Sequence, residues 1–156
     1  MALPATRSIA RTPPFLRDLQ QRTFRFFWDT TDPVTGLAVD RWPSGHAASI
    51  ASIGFALTAY PVGVVNGWIT RAMAANRTLA TLRFLAGAQQ GADPTGASGY
   101  RGFFYHFLGM QTGTRFRSSE LSTIDTALLL AGVLFAQSWY DDPHDPGERE
   151  IRALAN

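Results

Sequence analysis

Apolar side chains recur three and four positions apart over most of the chain, a spacing that predicts a mainly α-helical protein. A first helix is predicted over 14–29, where two prolines suit the first turn and charged residues separate the apolar ones. A second helix is predicted over 46–60, with Pro61 ending it. A third helix is predicted over 70–87, with Thr70 as its N-cap.

The period changes to two in the segment 103–108, where aromatic residues occupy both alternating sets of positions. A turn at Gly113 and the residues 115–117 follow, so this part of the chain predicts a short two-stranded β-hairpin. A fourth helix is predicted over 119–139, and a fifth begins near Pro146.

The second and fourth predicted helices are apolar nearly all round, whereas the first, third and fifth have one apolar face. A helix that is apolar all round is buried all round. The alternation therefore predicts two concentric rings of helices, with the second and fourth side by side and parallel in the inner ring. Parallel inner helices would place their N-terminal ends, and the long polar loops before them, on one face of the protein.

The amino-acid composition argues against several classes of function. The chain has 156 residues, 46% of them hydrophobic and 17% charged, with a formal net charge of +2. All of its basic residues are Arg, scattered singly, so nucleic-acid binding is not expected. Cysteine is absent, which excludes disulfides, thiolate metal sites and Cys nucleophiles. The sequence contains no phosphate-binding glycine loop or zinc-binding helix motif, and we expect no cofactor and no metal.

The stretch 42–70 carries no charged side chain, but Pro, Gly and Asn residues interrupt it. We therefore predict a buried helix there and no membrane span. The first 14 residues lack the apolar core of a signal peptide. The localisation stays open: the sequence as read predicts a cytoplasmic protein, and a periplasmic or secreted one if its N-terminus is incomplete.

Polar and aromatic residues flank the starts of both inner helices, so the ring arrangement predicts one convergent pocket. Helix N-termini stabilise ionised carboxylates, and paired carboxylates beside aromatic faces are typical of glycoside chemistry. The residues expected in or near this pocket are Asp40, Arg41, Trp42, Phe104, Tyr105, Glu120 and Asp125.

Each candidate also has a structural interpretation. Asp125 follows Ser122 at a spacing close to that of a capping box, and Glu120 suits the first turn of a helix. Asp40 and its neighbour Arg41 are also compatible with a local ion pair, and His106 is more often a packed or surface histidine than a catalytic one. The Phe-rich hairpin is compatible with packing as well as with a sugar platform.

A short acidic stretch, 141–145, includes His144 and is compatible with a metal site. No tight ligand geometry is specified there. We therefore predict a solvated loop between helices.

Three groups of residues, in this order along the chain, carry a family resemblance. They are 35–41 together with 48–55, then 102–107, then 119–129. They resemble the bacterial glucoamylase-like (glycoamylase-like) domain family, which includes endo-β-1,2-glucanases and a domain of cyclic β-1,2-glucan synthases. The likeness extends from about Leu19 to Leu154.

The resemblance implies an (α/α)6 barrel with its active site at the N-terminal ends of the inner helices. It also implies hydrolysis of a glucan, β-1,2-glucan above others, with inversion at the anomeric carbon. By the same likeness Glu120 would be the general acid, and a general acid needs a raised pKa, which an apolar pocket can provide. Asp40 and Asp125 would bind or position the substrate, and the other residues assigned to substrate binding are Arg41, Trp42, Tyr105 and His106.

Six helical hairpins need on the order of 350 residues at usual helix and loop lengths. The chain is therefore expected to hold a tail, 1–13, and the N-terminal part of such a domain, 14–156, with the C-terminal part and the catalytic base outside it. A partial barrel would expose the apolar edges of its inner helices and favour self-association. The alternative is a non-catalytic helical remnant or interaction module that another chain completes.

Overall fold

The computed structural model describes residues 12–93 and 95–156, so the predicted tail lies outside the described residues except for its last two positions. Five helices and four short strands are found within these ranges. The helices are α1 (Pro14–Thr30), α2 (Ile50–Val65), α3 (Arg71–Gly87), α4 (Thr123–Trp139) and α5 (Pro146–Leu154). The strands are β1 (Ala47–Ser49), β2 (Gly99–Tyr100), β3 (Phe103–Phe104) and β4 (Phe107–Gly109).

Three helices begin where the sequence predicts. Pro14 opens α1, because its fixed backbone angle suits a first turn and its missing N–H needs no partner there. The Thr70 hydroxyl accepts a hydrogen bond from the Met73 N–H and caps α3. Asp145 caps α5 in the same way by accepting from the Glu148 N–H.

The predicted bounds of α2 are wrong at both ends. The helix starts at Ile50 because 47–49 pair as strand β1, and it continues to Val65 with Pro61 in its interior. A proline inside a helix removes one backbone hydrogen bond. Pro61 is buried, so its packing and that of its neighbours offset this loss.

The fourth helix starts later than predicted, at Thr123, because the residues before it form hydrogen bonds with the segment 104–106 instead of helical ones. The Ser122 N–H donates to the Phe104 carbonyl, and the His106 N–H donates to the Glu120 carbonyl. These bonds hold the segment before α4 in an extended conformation beside 104–106.

The predicted hairpin is present at its turn but differs in its pairing. Leu108 bridges to Arg115 in antiparallel fashion, and the Phe116 N–H donates to the Phe107 carbonyl. Strand β4, however, pairs antiparallel with β1, and β3 pairs with β2 in a separate tight hairpin. The segment thus ties the loops that precede α2 and α4 to each other, a pairing that local periodicity does not encode.

Helices α2 and α4 pack against each other as the two central helices. Both start beside the same segment, since Ile50 at the start of α2 donates to the His106 carbonyl and Ser122 before α4 donates to that of Phe104. They run from there in the same direction and meet at Gly54 and Gly132. The predicted parallel, side-by-side pair is confirmed.

The other three helices pack outside this pair. Phe24 of α1 lies against Gly63 of α2, and the Arg71 guanidinium of α3 forms an ion pair with the Glu148 carboxylate of α5. The buried core lies between the two layers, with Ile53, Leu57 and Leu129 among its fully buried members. The arrangement is the two-layer packing expected for part of a helical ring.

One side of the central pair carries exposed apolar side chains, which we call the open face. Its members are Phe55 of α2 and Ile124, Leu130, Leu134 and Phe135 of α4. The expectation that the inner helices would show apolar edges is therefore confirmed. Among the described residues, no helix is both long enough and apolar enough to cross a bilayer.

Candidate functional site

A cleft of about 520 Å³ lies at the N-terminal ends of α2 and α4, where the long polar loops were predicted to converge. The β1–β4 pair contributes Ala47 and Phe107 to its wall. The cleft is lined by Asp40, Arg41, Ser44, His46, Ala47, Phe107, Phe116, Arg117, Ser118, Ser119 and Glu120. Predicted site residues from two distant parts of the sequence thus share one cavity.

The backbone of His106 joins the two sides of this site. Its carbonyl accepts from the Ile50 N–H at 3.2 Å, and its N–H donates to the Glu120 carbonyl at 2.9 Å. The start of α2 and the approach to α4 are therefore fixed to the same residue.

The side chains of Glu120, His106 and Asp125 form a row. His106 Nδ1 lies 2.8 Å from Glu120 Oε1, and His106 Nε2 lies 3.5 Å from Asp125 Oδ2. The imidazole ring also stacks on Phe107 at a centroid distance of 3.9 Å. The histidine therefore stands between two carboxylates with its ring plane fixed by an aromatic neighbour.

The pKa of Glu120 is lowered, contrary to the raised value expected for a general acid. A hydrogen bond from its own backbone N–H contributes most, followed by the His106 ring, and Arg115 adds attraction at longer range. The side chain is 67% exposed, so desolvation opposes its ionisation less than these hydrogen bonds favour it. The expected apolar enclosure of Glu120 is absent from the part of the chain that the structure describes. The helix-dipole interpretation of Glu120 is also wrong, because α4 starts three residues later.

Asp125 has the capping arrangement that its spacing allowed. Its backbone N–H donates to the Ser122 hydroxyl, and that hydroxyl lies 2.6 Å from Asp125 Oδ2. The carboxylate is thereby held toward His106. Asp125 thus takes part in the cap of α4 and also lies beside the His106 ring.

Asp40 and Arg41 form the local ion pair that was the alternative interpretation, with Arg41 Nε 2.8 Å from Asp40 Oδ2. Both residues nevertheless line the cleft. The Arg41 side chain is 75% exposed, so this pair contributes little to stability and remains open to a ligand.

The two aromatic residues assigned to substrate binding differ in accessibility. Trp42 is exposed next to Arg41 but is not among the residues that line the cleft. Tyr105 is buried, and the Arg115 guanidinium covers its ring at 4.6 Å from the centroid. The position of Tyr105 therefore contradicts direct contact with a sugar, because its ring faces the core.

Sequence reasoning missed several residues of the cleft wall, above all Arg117 and the serines that follow it. Arg117 has a φ of 54°, a conformation that a non-glycine residue rarely adopts and that is often found at functional sites. The Ser119 hydroxyl donates to the Phe107 carbonyl, and the Ser119 carbonyl accepts from Arg115 Nε at 2.6 Å. A polar run after a predicted turn was the available signal.

The acidic stretch 141–145 serves structural contacts. Asp141 pairs with Arg71, Asp142 accepts from the His144 N–H, and Asp145 caps α5. In residues 12–93 and 95–156, no group of three or more His, Cys, Asp or Glu side chains is placed to hold a metal ion.

Comparison with known proteins gives consistent relatives, although no family model matches the chain. An exo-β-1,2-glucooligosaccharide sophorohydrolase of Parabacteroides distasonis is 26% identical over 140 residues, which cover 86% of this chain and 18% of that protein. A glucoamylase-like protein of Bacteroides uniformis has a structure that superposes with a TM-score of 0.78 at 29% identity, covering 90% of this chain and 34% of the other.

A β-1,2-glucanase of Parabacteroides distasonis superposes with a TM-score of 0.77 at 25% identity, covering 90% of this chain and 20% of the other. The chain thus spans no more than about a third of the length of these relatives. Its helices form part of an α/α toroid, as the alternation of its helices predicted. The chain is therefore similar, in sequence and in fold, to a glucoamylase-like protein and to hydrolases that act on β-1,2-glucans.

Proposed function

We propose that the cleft belongs to a glycoside hydrolase site that cleaves a β-1,2-glucan with inversion, and that these 156 residues supply one part of it. The observation that carries the proposal is the shared cleft of Asp40 and Glu120 at the N-terminal ends of α2 and α4. Relatives named as β-1,2-glucan hydrolases support the choice of substrate.

Glu120 is the general acid in this proposal and donates its proton to the glycosidic oxygen as the bond to the anomeric carbon breaks. Glu120 is exposed and its pKa is lowered in these 156 residues alone. In this proposal further helices, outside these residues, complete the site. Apolar side chains from those helices would close over Glu120 and raise its pKa toward neutrality.

The base that activates the attacking water is a carboxylate outside these residues. Inversion requires it about 6.5–9.5 Å from the acid, with room for that water.

Asp40 and Arg41 bind sugar hydroxyls in this proposal, since both are accessible in the cleft. Trp42 offers an exposed ring beside them for stacking on a sugar face. His106 contacts Glu120 on one side and Asp125 on the other and so helps to orient the acid, and the buried Tyr105 packs behind the site.

The test compares the 156-residue chain with a longer protein in which this sequence is joined to the rest of an α/α toroid. Only the longer protein should cleave β-1,2-glucan. In it, Glu120→Gln should lower kcat by about 10² or more, because general acid catalysis contributes roughly 10²–10⁴. Asp40→Asn should act mainly on KM, as expected for a binding residue.

Glu150→Gln is the matched control for Glu120→Gln, because Glu150 is a partly exposed glutamate on α5 whose pair with Arg83 lies outside the cleft. It should leave kcat unchanged. Near-normal turnover by Glu120→Gln, on a β-1,2-glucan that the unsubstituted longer protein cleaves, would rule out Glu120 as the general acid.

The open face supports a second candidate function, an interaction module that packs against other helices without catalysis. Seven large apolar side chains are exposed on the two central helices, including Leu130 and Leu134 one turn apart on α4. In this case the chain would associate, with itself or with a helical partner, and the longer protein would have no glucanase activity.

A further inference from the structure

We propose that His106 is a positioning residue, which holds the Glu120 carboxyl group through Nδ1 while Asp125 anchors the opposite side of the ring through Nε2. The inference rests on the proposed function only for its catalytic consequence. The contact itself is a property of this chain.

Two independent contacts join His106 to Glu120. The backbone N–H of His106 donates to the Glu120 carbonyl at 2.9 Å, and the side chains meet at 2.8 Å. The first contact fixes where the Glu120 main chain lies, and the second fixes where its carboxyl group points. An exposed glutamate would otherwise sample several side-chain rotamers.

The ring itself is held on three sides. Phe107 stacks on its plane with an angle of 16°, Glu120 meets Nδ1, and Asp125 lies at Nε2. Asp125 is in turn fixed by the Ser122 hydroxyl at the start of α4. Through the His106 ring, the position of the Glu120 carboxyl group is therefore fixed relative to the N-terminus of α4.

The charge pattern explains why an imidazole suits this place. Glu120 and Asp125 face the ring, and the positive charge of Arg115 also acts on the Glu120 carboxylate. A protonated imidazole carries two N–H groups and can donate to both carboxylates, whereas a neutral ring has one. A carboxylate that has given its proton to a leaving oxygen would thus meet a donor already in place.

Two conservative substitutions test the contact of Nδ1 with Glu120 and the contact of Nε2 with Asp125 separately. The amide of His106→Asn occupies the place of Nδ1 and keeps a donor toward Glu120. The amide of His106→Gln reaches toward Nε2 and keeps contact only with Asp125. A general loss of packing would affect both variants, whereas loss of positioning would affect His106→Gln more.

The experiment is a pH titration of the Glu120 side-chain carboxyl carbon by NMR in the 156-residue chain. The pKa of Glu120 should rise toward its ordinary value in His106→Gln and stay nearer to the parent value in His106→Asn. The pKa of Glu148, which Arg71 holds low on α5, serves as the internal reference and should not move.

A Glu120 titration that is unchanged in His106→Gln, or that changes equally in both variants, overturns the proposal. In the longer protein, His106→Gln should lower kcat at least tenfold with KM within about twofold. If the Glu120 titration moves as expected in the 156-residue chain but the longer protein cleaves no glucan, positioning stands and the proposed function fails.

Discussion

Gly54 of α2 and Gly132 of α4 lie so close together that neither position has room for a methyl group. A Cβ added to Gly54 would lie 2.4 Å from the Leu128 carbonyl oxygen, and one added to Gly132 would lie 2.3 Å from the Gly54 carbonyl oxygen. The opposing atoms are backbone, so no side chain can rotate away. The distance between the two central helices is set by this pair.

Gly132→Ala should therefore destabilise the chain by about 1–3 kcal/mol or more, the usual cost of forcing extra atoms into a packed contact. Gly87→Ala is the control: Gly87 ends α3, and nothing lies within 4 Å of an added Cβ. It should be neutral or stabilise by about 0.4–1 kcal/mol. Urea denaturation measures both, and equal stability of the two variants would contradict the close approach.

The ion pair between Arg71 and Glu148 should make stability depend on pH. Glu148 is nearly buried, with a side chain 4% exposed, and the Arg71 guanidinium holds its pKa below the ordinary value of 4.5. A carboxyl group whose folded pKa is lowered contributes stability above its unfolded pKa and loses it as the pH falls through the folded pKa. Unfolding free energy should thus decline below about pH 4.5 more steeply in the parent than in Glu148→Gln.

At neutral pH, Glu148→Gln should cost about 1.5–3 kcal/mol, the range for a hydrogen bond to a charged group. Glu150→Gln is again the control, because its partner Arg83 is 59% exposed and such pairs contribute about 0–1 kcal/mol. Equal losses of unfolding free energy in the two variants, measured by thermal or urea unfolding, would show that the buried pair stabilises the protein no more than the exposed one.

Arg101, in the turn between β2 and β3, has a φ of 51°. Glycine adopts this conformation without steric cost, so Arg101→Gly should raise the unfolding free energy by up to about 1 kcal/mol. Arg101→Ala removes the same guanidinium from the Tyr100 ring but keeps the unfavourable φ. A stabilised alanine variant, with no gain from glycine, would contradict this reasoning.

The open face should drive association of the 156-residue chain. Light scattering at increasing concentration should show species larger than the monomer, because exposed apolar patches of this kind favour contact. Leu130→Glu with Leu134→Glu should shift the distribution toward monomer. Val34→Glu, at an isolated exposed residue in the loop after α1, should not. A monomer at all concentrations would contradict the prediction.

The sequence predicts best those elements whose signals are local. Pro14 and Thr70 mark the starts of α1 and α3 because a fixed backbone angle and a capping hydroxyl act within one turn. The start of α4 was not predictable in this way. Ser122 and Glu120 are held by partners at 104–106, and no local pattern records those bonds.

The site was predictable in its location and not in its contacts. The parallel central helices place Asp40 and Glu120 in one cleft, as the alternation of apolar and amphipathic helices implied. The burial of Tyr105 was not foreseen, because a two-residue period says which residues share a face and not which face is buried. The pKa of Glu120 depends on side chains that reach it only through the fold.

The backbone bonds of His106 have a consequence for the order of folding. They join Ile50, His106 and Glu120, three residues far apart along the chain, so each bond closes a loop and carries its entropy cost. That cost is offset by the apolar surface that is buried when α2 and α4 dock, where Ile50 and Leu108 become fully buried. An early intermediate with its central helices formed but undocked would therefore contain every residue of the cleft and have no cleft.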